Sequence, residues 1–284
     1  MERGPVGGKA IKRGRPPSFN SPIVMAKNIR ENKQLLFHFV SRDMKLKYHD
    51  SVLGYGWTII EPLVMTGVFY LLFAILTTSV DPYRPMHIII GFMTWHFFAG
   101  TITKSTSSLV GKSGLIKIIY FPRELFIAGI VSFEALTLIL SLLIVIPMAY
   151  YYDLELTWRV VLLPASILGI GLLSSGIGLF TSILQARVRD VQHIVGLVLK
   201  TSFFLSPAFW TLDNVQRVPE EYLDIYLYAN PMAVYMTMAR SAFNGQPIGV
   251  SDYHIISAFV VSATVFYIGS IFFMRNESRA VKNL

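Results

Sequence analysis

The chain has 284 residues, of which 53% are hydrophobic and only 15% charged, with a formal net charge of +8 and no cysteine. Soluble domains carry about a quarter charged residues, so this composition, with a mean hydropathy of +0.53, excludes a water-soluble fold and predicts an integral membrane protein. The missing cysteines exclude disulfides, thiolate catalysis and cysteine-ligated metals, and in a membrane protein the positive charge bears on orientation rather than on nucleic acid.

Residues 1–25 are rich in Gly, Pro and basic residues without apolar periodicity. They predict a disordered basic tail and, with no apolar run directly after, not a signal peptide. Residues 26–56 predict an amphipathic interfacial helix: Ile29, Leu36, Val40, Met44 and Tyr48 recur at helical steps among charged residues, and a basic polar side suits the headgroup region. The plainer reading is a soluble helix packed on a partner. Six spans are then predicted within 57–274, at 57–79, 86–103, 126–150, 159–183, 193–211 and 253–274, most near the ~20 residues a helix needs to cross a bilayer. The segment 212–252 is too long for a turn, and its periodic stretch Met232, Tyr235, Met236 and Ala239 predicts short helices at the outer leaflet. Residues 275–284 form a tail. The expected fold is therefore an all-α integral membrane protein with six transmembrane helices. No internal repeat of the kind found in inverted-repeat carriers is evident.

Lys and Arg set the expected orientation. With both termini inside, the inner segments hold 20 of the 25 and the outer ones 4, with Lys200 left inside the fifth span. Positive charge gathers on the cytoplasmic side, which places both termini there.

Gly111, Lys112 and Ser113 spell the end of a phosphate-binding loop. Such a loop also needs a glycine five positions earlier, after a buried strand; that position is Thr106, and an apolar span precedes it. The stretch reads instead as an inner loop, about 104–122, mixing the apolar Leu115, Ile116, Tyr120 and Phe121 with Lys112, Lys117 and Arg123. An exposed apolar face on a short cytoplasmic helix wants a partner; otherwise it rests on lipid.

At this point the sequence resembles a known family. GLIKIIYFPRE at 114–124 is similar to the coupling-helix motif of the membrane subunits of ABC exporters that move polysaccharides. RDMKLKY at 42–48, SVLGYGW at 51–57 with Glu61 and Pro62, ARVRD at 186–190, LSPAFW at 205–210 and NPM at 230–232 resemble further motifs of that family, in order, over roughly residues 40–240. Departures are Lys112 where the family often has Asn, Ile118 in place of a second Lys, Gly56 in place of a bulkier residue, and a tail without the usual aromatic-acidic ending. The resemblance implies a permease subunit that forms a homodimer and joins two copies of a separate P-loop ATPase. That partner would bind ATP and Mg, with no cofactor in this chain and no catalytic residues. The implied cargo is a lipid-linked polysaccharide, O-antigen first, with capsule or teichoic acid as alternatives and a drug or small lipid as a weaker one. Coupling to the ATPase would fall to Lys112, Leu115, Ile116, Lys117, Tyr120, Phe121 and Arg123.

Sugars stack on aromatic faces. The candidate path residues are Tyr55, Trp57, Phe69, Tyr70 and Phe73 of the first span, and Lys200, Phe203, Phe204 and Trp210 of the fifth; the plainer reading is an interfacial aromatic belt. Charges inside spans are costly. Glu134 and Lys200 pair with each other, or Lys200 meets a phosphate-linked headgroup, or it snorkels. Glu61 is a helix-start carboxylate or a channel group. His87 and His96 lie nine apart, which is not a metal spacing. An intramembrane enzyme would need a His or Arg set beside the acidic group Asp213, Glu220, Glu221 and Asp224, and an ion-coupled carrier would need paired carboxylates within spans, where only Glu134 is central.

Overall fold

The computed structural model describes residues 19–47, 51–76, 83–118, 121–154, 157–212, 219–245 and 247–282. Among these the chain is helical and has no strand. The helices are α1 (Ser21–Glu31), α2 (Lys33–Lys47), α3 (Trp57–Leu76), α4 (Arg84–Gly111), α5 (Ser113–Ile118), α6 (Glu124–Leu142), α7 (Val145–Tyr151), α8 (Leu162–Gln185), α9 (Val191–Leu205), α10 (Glu220–Ala229), α11 (Pro231–Asn244) and α12 (Asp252–Lys282). The fold is an all-α membrane protein, and among the described residues five helical stretches are long and apolar enough to cross a bilayer: α3, α4, α6 with α7, α8 with the turn before it, and α12.

The expected fifth span is the exception. It is the 15-residue α9, about 22 Å long at 1.5 Å per residue against a hydrocarbon layer of about 30 Å. Pro207 is the reason it stops: the residue before a proline avoids helical backbone, and Ser206 is extended, with ψ 150°. Other boundaries move too. The amphipathic segment starts at Ser21, inside the tail expected to be disordered, and breaks at Asn32 into two helices. The second span is not short: α4 runs 28 residues and takes in the first part of the loop expected at 104–122, leaving only Ser113–Ile118 as a separate helix. Helix α12 likewise continues through the expected tail to Lys282. The third span is interrupted at Leu143 and Ile144, where Pro147 has no N–H for the Leu143 carbonyl, which accepts from the Ile146 N–H at 3.3 Å instead.

Helix α8 is central and packs most extensively against α4 and α12. Small residues allow the α8–α12 approach. A Cβ on Gly269 would lie 2.3 Å from the Gly176 carbonyl oxygen, and one on Gly176 would lie 2.6 Å from the Phe266 nitrogen. Association inside a bilayer relies on such close backbone packing. One apolar core joins α4, α8 and α11; a second, around Met25, Phe39, Ile116, Phe121, Phe126 and Phe273, joins α1, α2 and α5 to α6 and α12. This second core marks the basic end of the molecule, and α10 and α11 mark the far end. Helices α3 and α9 are poorly covered, exposing Val64, Val68, Leu71 and Ile75, and Ile194, Leu197 and Phe204. In a bilayer such faces meet lipid or another protein.

Gly269→Leu should force α12 off α8. Overpacking a tight contact costs about 1–3 kcal/mol, so the variant should unfold several degrees lower in detergent, whereas substitution at Gly67, whose Cβ meets nothing within 4 Å, should not.

Candidate transport groove and coupling end

A proline interrupts α3 and another ends α9, and side chains from other helices satisfy backbone carbonyls at both places. Pro62 has no N–H for the Thr58 carbonyl one turn back in α3; the Ser141 hydroxyl of α6 donates to that carbonyl at 3.1 Å. Beyond Pro207, the buried Arg240 of α11 donates to the Pro207 and Ala208 carbonyls, the latter at 3.2 Å, and to the His87 carbonyl of α4 at 3.0 Å. Gly91 makes room for this, since a Cβ there would lie 2.1 Å from the Ala208 oxygen. Asn230 donates to the Ser206 hydroxyl at 3.1 Å, and the Tyr226 hydroxyl donates to the Leu205 carbonyl at 2.8 Å. Burial drives the Tyr226 phenol well above its usual range, against opposing effects of Asn230 and Arg240. The stretches LSPAFW and NPM are thus two halves of one hydrogen-bonded turn at the far end.

Against this turn sit many of the expected path residues. Phe69 stacks on Phe209, centroids 5.0 Å apart and 4° from parallel. Phe73 also meets Phe209 at 6.0 Å. Phe203 touches Phe69, Phe204 and Phe209. Trp210 packs on Tyr226 at 6.1 Å. Trp57 and Tyr70 stand apart from this group, exposed on α3, and the Tyr55 side chain lies outside the described residues. The sequence reading missed two members: Phe92 and Trp95 of α4 meet Phe203 at 6.3 and 5.7 Å. Their signal was available, since Phe92, His96, Ala99 and Thr103 fall at helical steps on one face of α4. Together with Gly196, Lys200 and Phe203 of α9 they line an open groove of about 500 Å³.

Next to it, on the α3–α6 side of α4, is a polar seam. Of the alternatives for Lys200, the pair with Glu134 does not form: Lys200 is exposed on α9, and the buried Glu134 carboxylate pairs with Lys104. Gly100 fits the carboxylate, which a Cβ there would meet at 3.0 Å. Residues Lys47, Thr58, Glu61, His96, Glu134 and Ser141 surround a small cavity of about 70 Å³. Glu61 is therefore part of this seam. His87 is at the far end, where its ring meets Asn244 at 3.4 Å. Of the outer acidic group, Asp224 lies 3.4 Å from His254; Asp213 and the Glu220 side chain fall outside the described residues.

At the basic end the coupling residues divide. Phe121 is buried between Phe39 and Phe126, at 6.0 and 5.0 Å. Ile116 is 8% exposed and belongs to the same core. The Lys112 ammonium sits 4.7 Å over the Phe126 ring and 4.0 Å from Asp43. Burial pushes its pKa down, opposed by Asp43 and reinforced by Arg42. Thr106, where a phosphate loop would need glycine, is mid-helix, its hydroxyl bonded to the Ile102 carbonyl and to Thr181, each at 2.7 Å. Arg123 reaches Glu277 of α12 at 3.9 Å, and Asn28 of α1 donates to Glu124 at 2.6 Å. Leu115 is half-buried, Lys117 is exposed, and Tyr120 lies outside the described residues. So Lys112, Leu115, Ile116, Phe121 and Arg123 tie α5 to its neighbours, while Lys117 is exposed.

The described residues thus form a poorly covered helical membrane bundle with an aromatic groove and a clamped short helix at its basic end. A family model described as ABC-2 type transporter matches residues 34–244, and the chain belongs to that family. Among its relatives, the O-antigen export system permease protein RfbA of Myxococcus xanthus is 26% identical over 258 residues, covering 91% of this chain and 98% of that protein. A protein of the same name from Klebsiella pneumoniae is 28% identical over 238 residues, 82% and 88% of the two chains. The polysialic acid transport protein KpsM of Escherichia coli is 25% identical over 218 residues, 71% and 78%. These relatives carry the names of O-antigen and polysialic acid export proteins, and each is alike to this chain over most of its length.

Ser141→Ala should cost about 1–3 kcal/mol by orphaning the Thr58 carbonyl. In a Pro62→Ala background the helix regains its own N–H, so most of that cost should vanish. Thermal unfolding of the four proteins of this cycle measures the coupling; equal costs in both backgrounds would refute the account of Pro62.

Proposed function

We propose that this chain is the channel-forming subunit of an ATP-driven exporter that moves a lipid-linked polysaccharide, O-antigen in the first instance, across the cytoplasmic membrane. Two copies form the path, and two copies of a separate P-loop ATPase bind and hydrolyse ATP with Mg. Both termini are cytoplasmic, as the distribution of Lys and Arg supports, and the basic end faces the ATPase. The observation that carries this reading is α5 itself, a helix clamped to α1, α2, α6 and α12 that leaves Lys117 exposed. A six-residue helix has no stability of its own; held this way, it delivers a push to the bundle. The groove between α4 and α9 offers rings for sugar faces and Lys200 for an anionic group. The capsule reading of the same site draws on the likeness to KpsM.

A pull-down from gently solubilised native membranes tests the partner. Lys117→Glu should lower ATPase recovery while lowering the unfolding temperature far less than Ile116→Asp does. Ile116→Asp should lose the ATPase too, but by unfolding the basic end, since burying a carboxylate in that core is prohibitive. No P-loop ATPase with the wild type would sink the reading. Phe203→Ala and Trp95→Ala should each reduce polymer at the cell surface by roughly 3–10-fold, the scale of one aromatic contact, with the complex still assembled.

A further inference from the structure

Helices α6 and α8 pack more extensively on α4 than on each other, and between them runs an open apolar groove of about 410 Å³. Ile127, Val131 and Ala135 of α6 and Leu168, Gly171 and Leu172 of α8 form its walls. Gly171 keeps it wide, since a side chain there would run toward Val131 and Phe97, whose atoms lie 3.6 and 3.7 Å from the Cβ position. From Glu124 to Ala135 the groove follows α6 for about 16 Å at 1.5 Å per residue, the depth of one leaflet of a hydrocarbon layer of about 30 Å. Helix α1, which packs on α6 and α12, brings Met25 and Ile29 to its basic end. That end differs in character, because Glu124 lines it. Glu124 is 4% exposed, and its Oε1 accepts from Asn28 of α1 at 2.6 Å. Glu277 of α12 is a second carboxylate: the charge of Glu124 acts on it, and Arg123, at 3.9 Å, opposes that. Of the other cations here, Lys27 lies 3.8 Å from Glu31, Arg187 donates to Asn276 at 2.7 Å, and Arg30, Arg275 and Arg279 are exposed. Among the described residues, two carboxylates thus share one guanidinium where an apolar groove one leaflet deep reaches the headgroup level. Buried charge calls for a partner.

We infer that this groove holds one acyl chain of a phosphatidylethanolamine from the leaflet at the basic end, with the primary ammonium of its head on Glu124. The occupant is a resident lipid and not a cargo, so the inference stands apart from the export reading. The head is selected by charge and by hydrogen bonding. A primary ammonium has three N–H groups; one donates to Oε2 of Glu124 while Asn28 keeps Oε1. The choline nitrogen is wrapped in methyl groups and has no N–H to give. A glycerol head leaves the phosphate charge unbalanced beside two carboxylates, and like charges repel. The acyl chain gains many small contacts along the walls of the groove. The lipid in turn ties α1 to the bundle: Met25 and Ile29 rest on the chain, and Asn28 on the carboxylate that holds the head.

The test is native mass spectrometry of the full chain in detergent, equilibrated with equimolar phosphatidylethanolamine, phosphatidylcholine and phosphatidylglycerol of matched acyl chains. The wild type should retain phosphatidylethanolamine about tenfold in preference to either competitor, the scale of one charged hydrogen bond. Glu124→Gln keeps the acceptor for Asn28 and removes the charge; it should bring phosphatidylethanolamine down to the level of phosphatidylcholine. Gly171→Leu fills the groove and should lower retention of all three lipids at least about tenfold. Ala135→Leu should do the same from the other end, and carries the test where Gly171→Leu does not fold. Val64→Ala, on the exposed face of α3, should change nothing, which separates this site from lipid held loosely around the bundle. Unfolding temperatures verify that each variant is folded. Equal retention of the three lipids by the wild type, or a preference for phosphatidylglycerol, overturns the proposal. An unchanged preference in Glu124→Gln overturns the role of the carboxylate, and undiminished retention in the folded groove variants overturns the site.

Discussion

The Arg240 guanidinium sets the shape of the far end. It is 4% exposed, and it donates to carbonyls that come from α4 and from the turn after α9. In hydrocarbon an unpaired carbonyl costs several kcal/mol, so a chain that turns back inside a membrane needs donors carried in from elsewhere. The cation is tolerated because its charge is spread over the carbonyl dipoles. Once the turn is fixed, Phe209 is placed to stack on Phe69, and Phe203 is placed to close the aromatic group. The short α9 follows as well: it ends where the turn begins, and so leaves the groove beside α4 open on one side. Ser141 performs the same service for Pro62 at the start of α3, with a single neutral donor.

The membrane parts of the fold were legible because their signals are additive over many residues. Apolar runs of span length are hard to disguise, and the fold class followed from them. Boundaries were less legible where a helix outlasts its apolar run. Helices α4 and α12 continue as helices once their residues turn polar, because α8, α1 and the second core still pack on them. Hydropathy registers the solvent, not the hydrogen bonding of the backbone. The same limit explains the break at Leu205. The sequence LSPAFW is apolar enough to pass for the end of a span, and only the backbone chemistry of Pro207 shows that it is a turn.

Pairings across the bundle were not legible. Glu134 and Lys200 were matched in sequence as the two charges deep in spans, but Lys104, read as a loop residue, is the partner. Its position in the loop was an artefact of ending the second span too early. With α4 continued to Gly111, Lys104 stands one turn beyond Gly100, within reach of the carboxylate. The aromatic residues show the reverse. Phe69, Phe73, Phe203 and Phe204 were chosen by type alone, and the structure groups them around Phe209; Trp210 packs on Tyr226 instead, and Trp57 and Tyr70, chosen on the same grounds, are left on the exposed face of α3. Residue type proposes such a set, and only the rotation of each helix selects from it.

That selection has a mechanical side at the basic end. Of the seven residues assigned to coupling, those with the strongest apolar or charged character were the natural candidates for contact with a partner. Several of them turned inward because a six-residue helix can be ordered only by tertiary contacts. Ile116, Phe121 and the Lys112 stem supply those contacts, and Arg123 with Glu277 and Asn28 with Glu124 extend them to α12 and α1. On the export reading proposed above, a force on α5 would not bend a loose loop. It would pass to α4, which is continuous with α5 except at Lys112, and to α12 through the Arg123 pair. Helix α4 also carries the groove beside α9, with Phe92, Trp95 and His96 in its wall, so on that reading one helix would join the motor's contact to the path.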